Sequence, residues 1–151
     1  MWSRRGSALV IAALLIAAVV LAACSVVSAP QGEPSIRGVV TAIAQNESGT
    51  GGSFRVVWTD DPSVGAKAEF DAAQVGWNED TAFYRRPSEE GAELEEITAS
   101  QIKTGSVVEA WFEGAVAESY PVQASASAVV VTGAYDGELP TPPGLEPEPA
   151  P

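Results

Sequence analysis

The stretch ITASQIKTGSVVEAWFE, residues 97–113, decides the fold, because a short helical signal runs directly into an alternating pattern. Thr98 is suited to the N-cap position and Gln101 to the third helical position, which together make a capping box, and the two isoleucines around them form a hydrophobic staple. Gly105 then fits the position just after a helix end, where a left-handed conformation is common. We predict a single helical turn here that leads straight into a strand.

The residues after this turn alternate in the way that is typical of a half-buried strand. Between residues 106 and 113, one face carries Val108, Ala110 and Phe112, whereas the opposite face carries Glu109, Trp111 and Glu113. Similar β-rich or alternating stretches, separated by glycine and acidic turns, occur elsewhere in the chain. They predict further strands at residues 36–43, 54–59, 66–71, 81–85 and 122–132.

A mainly β domain of about five strands, with one short helix before the fourth, is the arrangement of a small OB-like Greek-key barrel. A small β-sandwich is the alternative, because strand order does not follow from periodicity. We therefore predict an OB-like β domain over residues 36–134.

The segments IKTGSVVEAWFEG, residues 102–114, and ESYPVQA, residues 118–124, resemble the C-terminal half of the YobA-like family. That family comprises small bacterial secreted or lipid-anchored proteins of unknown function. The resemblance implies an OB-like barrel and implies no activity.

The N-terminus has the layout of a secretory signal. Arg4 and Arg5 precede an uncharged apolar run over residues 8–23, which has 16 residues. A helix needs roughly 20 apolar residues to cross a bilayer. We therefore predict a cleaved signal peptide over residues 1–23.

The segment LAAC, residues 21–24, resembles the lipobox of bacterial lipoproteins and contains the only cysteine in the chain. The resemblance implies that Cys24 carries a diacylglyceryl group, becomes the first residue and is acylated on its amine, with palmitate as a typical chain. The alternative is an ordinary signal with a chance cysteine. We predict a membrane partner through the lipid on Cys24, at the outer face of the cytoplasmic membrane or at an outer membrane if the cell has one.

Two polar segments flank the predicted domain. Residues 24–35 form the lipidated N-terminus and a flexible tether, and residues 135–151 are rich in proline and glutamate with little apolar surface. Such a composition is typical of disorder. We predict a disordered tail and a monomeric domain.

Charge and residue types disfavour several function classes. Without residues 1–23 the chain keeps six basic residues against 20 acidic ones, a net charge of −14. Such a chain repels nucleic acid and anionic lipid. Histidine is absent, and Cys24 is the only thiol, which removes the usual nucleophile pairs and zinc ligand sets. We predict no nucleic-acid partner, no cofactor, no metal and no enzymatic activity.

Pairs of acidic residues are the remaining candidates for metal binding or catalysis. Carboxylates can ligate calcium or flank a glycosidic bond, although these pairs fall in predicted turns where water solvates them. The pairs are Asp60 with Asp61, Glu79 with Asp80, Glu89 with Glu90, and Glu93 with Glu95 and Glu96.

Two positions are candidate interface residues. Trp111 is predicted on the outer face of its strand, where an exposed aromatic side chain suits a protein interface. Tyr120 and Pro121 precede the last predicted strand and would present a binding edge. Ordinary packing is the competing interpretation for all three.

The leading hypothesis from the sequence is an envelope-anchored lipoprotein whose domain binds a protein or glycan partner without catalysis. The alternatives are a calcium-dependent or carboxylate-based enzyme that processes cell-wall glycan, and a structural spacer.

Overall fold

The computed structural model describes residues 29–144, which contain seven β-strands and one short 3-10 turn. The predicted signal peptide, Cys24 and residues 145–151 lie outside the described residues. The elements are β1 (Ile36–Gln45), β2 (Gly52–Val57), β3 (Ala72–Trp77), β4 (Ala82–Arg85), β5 (Glu95–Glu96), a 3-10 turn (Ala99–Gln101), β6 (Ser106–Ala117) and β7 (Val122–Ala134).

Five of these strands close into a barrel. Strand β1 pairs with β2 on one side and with β6 on the other, β2 pairs with β3, and β6 pairs with β7, all antiparallel. Parallel pairing of β3 with β7 closes the ring. The resulting order is that of an OB barrel, with β6 and β7 as its last two strands. The predicted OB-like barrel is confirmed, and the sandwich alternative is not what forms.

The other two strands extend the sheet outside the barrel. Strand β4 runs parallel to the second half of β7, and the two-residue β5 pairs with β4. Strands β3 and β4 therefore lie along one side of β7, with a short connection between them. Thr81 bridges this break, since its hydroxyl accepts a hydrogen bond from the Asn78 backbone N–H (3.1 Å) and donates one to the Ala126 carbonyl (2.8 Å).

The barrel interior is filled by β-branched and aromatic side chains. Trp77 and Phe83 meet edge to face with ring centroids 5.7 Å apart, a favourable aromatic geometry. Fully buried members of this core are Ile36, Val40, Phe54, Val56, Val75, Val108, Ala110 and Val129. The predicted inward face of β6 is thus confirmed.

Two smaller apolar clusters cover parts of the outside of the barrel. One joins Val39, Val64 and Val107 with Trp58 and Tyr135 packed against them. The other joins Tyr84, Ala128 and Val130, with Ala82, Leu94 and Trp111 packed against them. Burial on both faces explains why β1, β6 and β7 contain runs of valine as well as alternation.

The helical signal at residues 97–102 forms a 3-10 turn that leads into β6, as predicted. The Gln101 side-chain oxygen accepts the Thr98 backbone N–H at 3.1 Å, and Ile102 is buried in the core. The predicted role of Gly105 is wrong, because Ile102 already has an extended C-cap conformation. Gly105, at φ +90°, instead forms the next turn, and its N–H donates to the Val40 carbonyl at 2.8 Å.

The strand predicted at residues 66–71 is also wrong. These residues belong to the connection between β2 and β3, in which only Phe70 forms an isolated bridge with Ile36. Their charged side chains alternate along a solvated loop. The strand lies directly after them at Ala72–Trp77, where alanine and glycine give a weak strand signal.

Both flanking segments contact the barrel where they are described. At the N-terminal side, the Ser35 N–H donates to the Ala110 carbonyl (2.9 Å), and Ser35 Oγ accepts the Phe112 N–H (3.1 Å). At the C-terminal side, Tyr135 packs on an outer cluster and Pro142 is buried. Within residues 29–144, no helix has the length and apolar character to cross a membrane.

Candidate functional site

A polar groove of about 400 Å³ lies on the outer face of the barrel, where β2, β3 and β7 run side by side. In an OB barrel the face of the second and third strands is the usual ligand surface. The groove is lined by Ser53, Gln74, Gly76, Ala115, Gln123, Ala124 and Ser125.

The register of the three strands builds the groove as two rows. Gly76 lies opposite Ser53 on one side and Ser125 on the other, and this row forms the floor. Gly76 has no side chain and therefore keeps the floor low. A Cβ at this position would make only ordinary contacts, with the Ala124 carbonyl at 3.6 Å and Ser125 Oγ at 3.9 Å.

The second row consists of Arg55, Gln74 and Gln123 on the same three strands. Gln74 Nε2 donates to Ser53 Oγ at 2.8 Å, and Gln123 Nε2 donates to Ser119 Oγ at 3.4 Å. These bonds orient the amides across the groove. Among the described residues, no partner is found for the side-chain oxygens of the two glutamines or for the Ser125 hydroxyl.

The groove lining therefore offers hydrogen bonds rather than charge. Its side chains are amides, hydroxyls and alanine methyl groups, and none of the lining residues titrates. Free amide oxygens accept and the hydroxyls both donate and accept. This chemistry suits an uncharged ligand surface that is rich in hydroxyl or amide groups.

Tyr120 lies beside this groove, in the connection between β6 and β7. It is 50% exposed and directly follows Ser119, which accepts the bond from Gln123. Partial desolvation and the nearby Asp71 carboxylate raise the pKa of Tyr120 above its ordinary value. Pro121 is half-buried at the start of β7.

Trp111 lies elsewhere. Its ring packs with the Tyr84 cluster on the outside of β6, and its Nε1 donates to the Gly32 carbonyl at 3.1 Å. Trp111 pairs with Ala128, six residues along β7 from Val122, or about 20 Å from the start of that strand. The structure thus does not bring Trp111 together with Tyr120 and Pro121.

Glu109 shares the face of Trp111 and is buried, although the sequence placed it beside an exposed aromatic. It accepts hydrogen bonds from Arg37 Nε at 2.9 Å and from the Arg86 guanidinium at 2.8 Å. Arg37 also donates to the Ala66 carbonyl at 2.6 Å. This triad joins β1, β6 and the segment after β4, which is a structural role.

Most of the acidic pairs lie in loops, whereas Glu95 and Glu96 form the short strand β5, where both are exposed. Asp61 Oδ1 accepts the Ser63 N–H (2.8 Å) and hydroxyl (2.6 Å), and these bonds lower the pKa of Asp61. Between residues 29 and 144, no three acidic side chains come together in a way that could hold a metal ion.

Sequence reasoning missed the groove residues Ser53, Gln74, Gln123 and Ser125. A signal for the last two was present, because residues 123–127 read QASAS, with uncharged polar side chains at every second position of a strand. Such a pattern indicates a polar outer face. Only the pairing of β7 with β3 shows that Gln74 and Gly76 continue that face.

Comparisons of this chain with protein-family models, with curated proteins and with solved structures find no match in any of the three, and the resemblance to the YobA-like family stays a prediction.

Proposed function

We propose that this chain is an envelope-anchored lipoprotein whose barrel binds a glycan in the groove across β2, β3 and β7, without catalytic turnover. The observation that carries the proposal is the groove itself, a concave surface lined by two oriented glutamine amides and two serine hydroxyls. Its position is the face on which OB barrels bind oligosaccharides and oligonucleotides.

The charge of the chain favours the glycan over nucleic acid. A net charge of −14 for residues 24–151 opposes binding of a polyphosphate backbone, whereas sugar hydroxyls carry no charge. The groove volume also lies within the range of about 300–1,000 Å³ that is typical of small-ligand sites. Tyr120 offers an exposed aromatic face beside the groove on which a sugar ring can pack.

The sequence supports the anchor. Several acyl chains on Cys24 would bind durably to a bilayer, since each buried CH2 contributes about 0.8 kcal/mol. The acidic domain contributes no electrostatic attraction to anionic lipid. Attachment would therefore depend on the lipid.

The first test measures glycan binding with the detergent-solubilised full chain. We expect a β-1,4-linked N-acetylglucosamine tetramer to shift the side-chain amide NMR signals of Gln74 and Gln123. The double substitution Gln74→Ala with Gln123→Ala should weaken binding by about tenfold, because two neutral hydrogen bonds together contribute about 1–3 kcal/mol.

The matched control is Gln31→Ala, which removes an exposed amide that bonds only to the nearby Ala29 carbonyl. Its affinity should equal that of the wild type. Equal affinity of the double variant and the control would contradict the groove as the binding site.

The second test is the intact mass of the protein extracted from membranes. We expect a chain that begins at Cys24 and carries acyl groups, and we expect Cys24→Ser to lack both the added mass and the membrane attachment. An N-terminus at Met1, or a mature mass without lipid, would refute the anchor.

A further inference from the structure

Arg55 lies at the edge of the proposed binding groove, and within residues 29–144 its side chain has no hydrogen-bond or ion-pair partner. It lies directly opposite Gln74, so the two side chains are neighbours on the outer face of the β2–β3 pair. Side chains opposite each other in such a pair have Cβ atoms about 4.5–5.5 Å apart. A ligand that contacts Gln74 is therefore within reach of the Arg55 guanidinium.

The guanidinium of Arg55 is not satisfied within residues 29–144. Its Nε atom is buried without a hydrogen-bond partner, and none of the described carboxylates pairs with it. Three of the other basic side chains in this range do find acids, since Arg37 and Arg86 bind Glu109 and Lys67 lies 3.9 Å from Asp71, whereas Arg85 and Lys103 do not. The protein encloses Nε, so a ligand could reach only the two terminal nitrogens, which also form no hydrogen bond with the described residues. Such unpaired donors beside a groove point to a partner from outside the chain.

We infer that Arg55 selects a glycan that carries a carboxylate, an inference that rests on the proposed glycan-binding function. Arginine presents a planar fork of donors that matches the two oxygens of a carboxylate. The uncharged side chains of Gln74, Gln123, Ser53 and Ser125 would hold the sugar ring, and Arg55 would bind its acidic substituent.

The acidity of the whole chain does not oppose this pairing. At physiological ionic strength the Debye length is about 8 Å, so exposed charges farther away are largely screened. The binding energy of a single carboxylate in contact with Arg55 depends mainly on that short-range ion pair. A densely charged polyanion would instead meet the repulsion of the surrounding acidic surface.

The test compares two probes that differ only in the acid. One is a tetrasaccharide of alternating N-acetylglucosamine and N-acetylmuramic acid, and the other is the same tetrasaccharide with its carboxyl groups reduced to alcohols. Titration calorimetry with the full chain in detergent should show that the acidic probe binds about tenfold more tightly. Arg55→Gln should bind both probes equally, with the affinity of the wild type for the reduced probe.

Two further variants distinguish the effect of the Arg55 charge on binding from an effect on the fold. Arg55→Lys should keep part of the preference, because it keeps the charge and loses the fork. Arg85→Gln, which removes a guanidinium from β4 outside the groove, should keep all of it. The melting temperature of Arg55→Gln should not fall, since the guanidinium makes no bond in the described residues that the variant would lose.

The outcomes distinguish the two proposals. Equal binding of both probes by the wild type, or a preference that survives in Arg55→Gln, would overturn the role of Arg55 and leave the glycan-binding function standing. Absence of binding to both probes would overturn the glycan-binding function, and the inference with it.

Discussion

Gly38→Ala should destabilise the barrel by about 3 kcal/mol, at the upper end of the usual cost of overpacking. Gly38 lies in β1, where the strand passes from its pairing with β6 to its pairing with β2. A Cβ at this position would approach the Val57 carbonyl oxygen to 2.5 Å and the Trp58 nitrogen to 2.9 Å. These are backbone atoms, so relief would require β1 and β2 to separate. Urea unfolding monitored by tryptophan fluorescence would measure the loss.

Gly133→Ala is the matched control. Gly133 also lies in a strand, β7, and a Cβ there would meet no atom within 4 Å. We expect a change within about 0.5 kcal/mol, as for other surface substitutions. If the two variants unfolded at the same urea concentration, the close approach at Gly38 would not be what constrains β1.

Glu109→Gln should cost about 3 kcal/mol. The Glu109 side chain is 9% exposed and holds two arginines, and Arg37 is itself only 18% exposed. The amide cannot neutralise either cation, and breaking one side of a buried ion pair typically costs about 3–5 kcal/mol. The lower end applies because Arg86 is 49% exposed and water can solvate it.

Arg86→Gln provides the comparison within the same triad. It leaves the Arg37–Glu109 pair intact and should cost about 1 kcal/mol, close to the value of an exposed ion pair. The order of the two variants in urea unfolding is the decisive result. If Arg86→Gln were the more damaging, then attachment of the segment after β4, and not burial of Glu109, would be the main role of the triad.

The periodicity of β6 shows how far sequence reasoning reaches. Alternation correctly divided Val108, Ala110 and Phe112 from Glu109 and Trp111, because side-chain direction follows from the strand itself. It did not show that the second set is covered. Tyr84 and Leu94 lie on Trp111, and they come from a segment whose pairing with β7 is set by tertiary structure.

The groove could not be predicted from the sequence for a related reason. Its polar residues come from β2, β3 and β7, and the contact that joins β7 to the other two is a parallel pairing with β3, far away in sequence. Local patterns carry no information on that pairing. A local strand pattern can therefore identify a polar outer face on β7, but it does not identify the strands that lie beside β7.

If Cys24 carries the proposed lipid, the hydrogen bond from Trp111 to the Gly32 carbonyl would limit the height of the barrel above the membrane. With the lipid on Cys24, only eight residues lead from the anchor to this attachment point, and each can span at most about 3.6 Å. The domain would then work within about 30 Å of the bilayer surface. Its ligand would have to enter this layer. A longer free tether would instead let the barrel bind ligands farther from the membrane. Removal of the Trp111 indole should therefore change the distance that the barrel can extend from the membrane before it changes the ligand that the barrel binds.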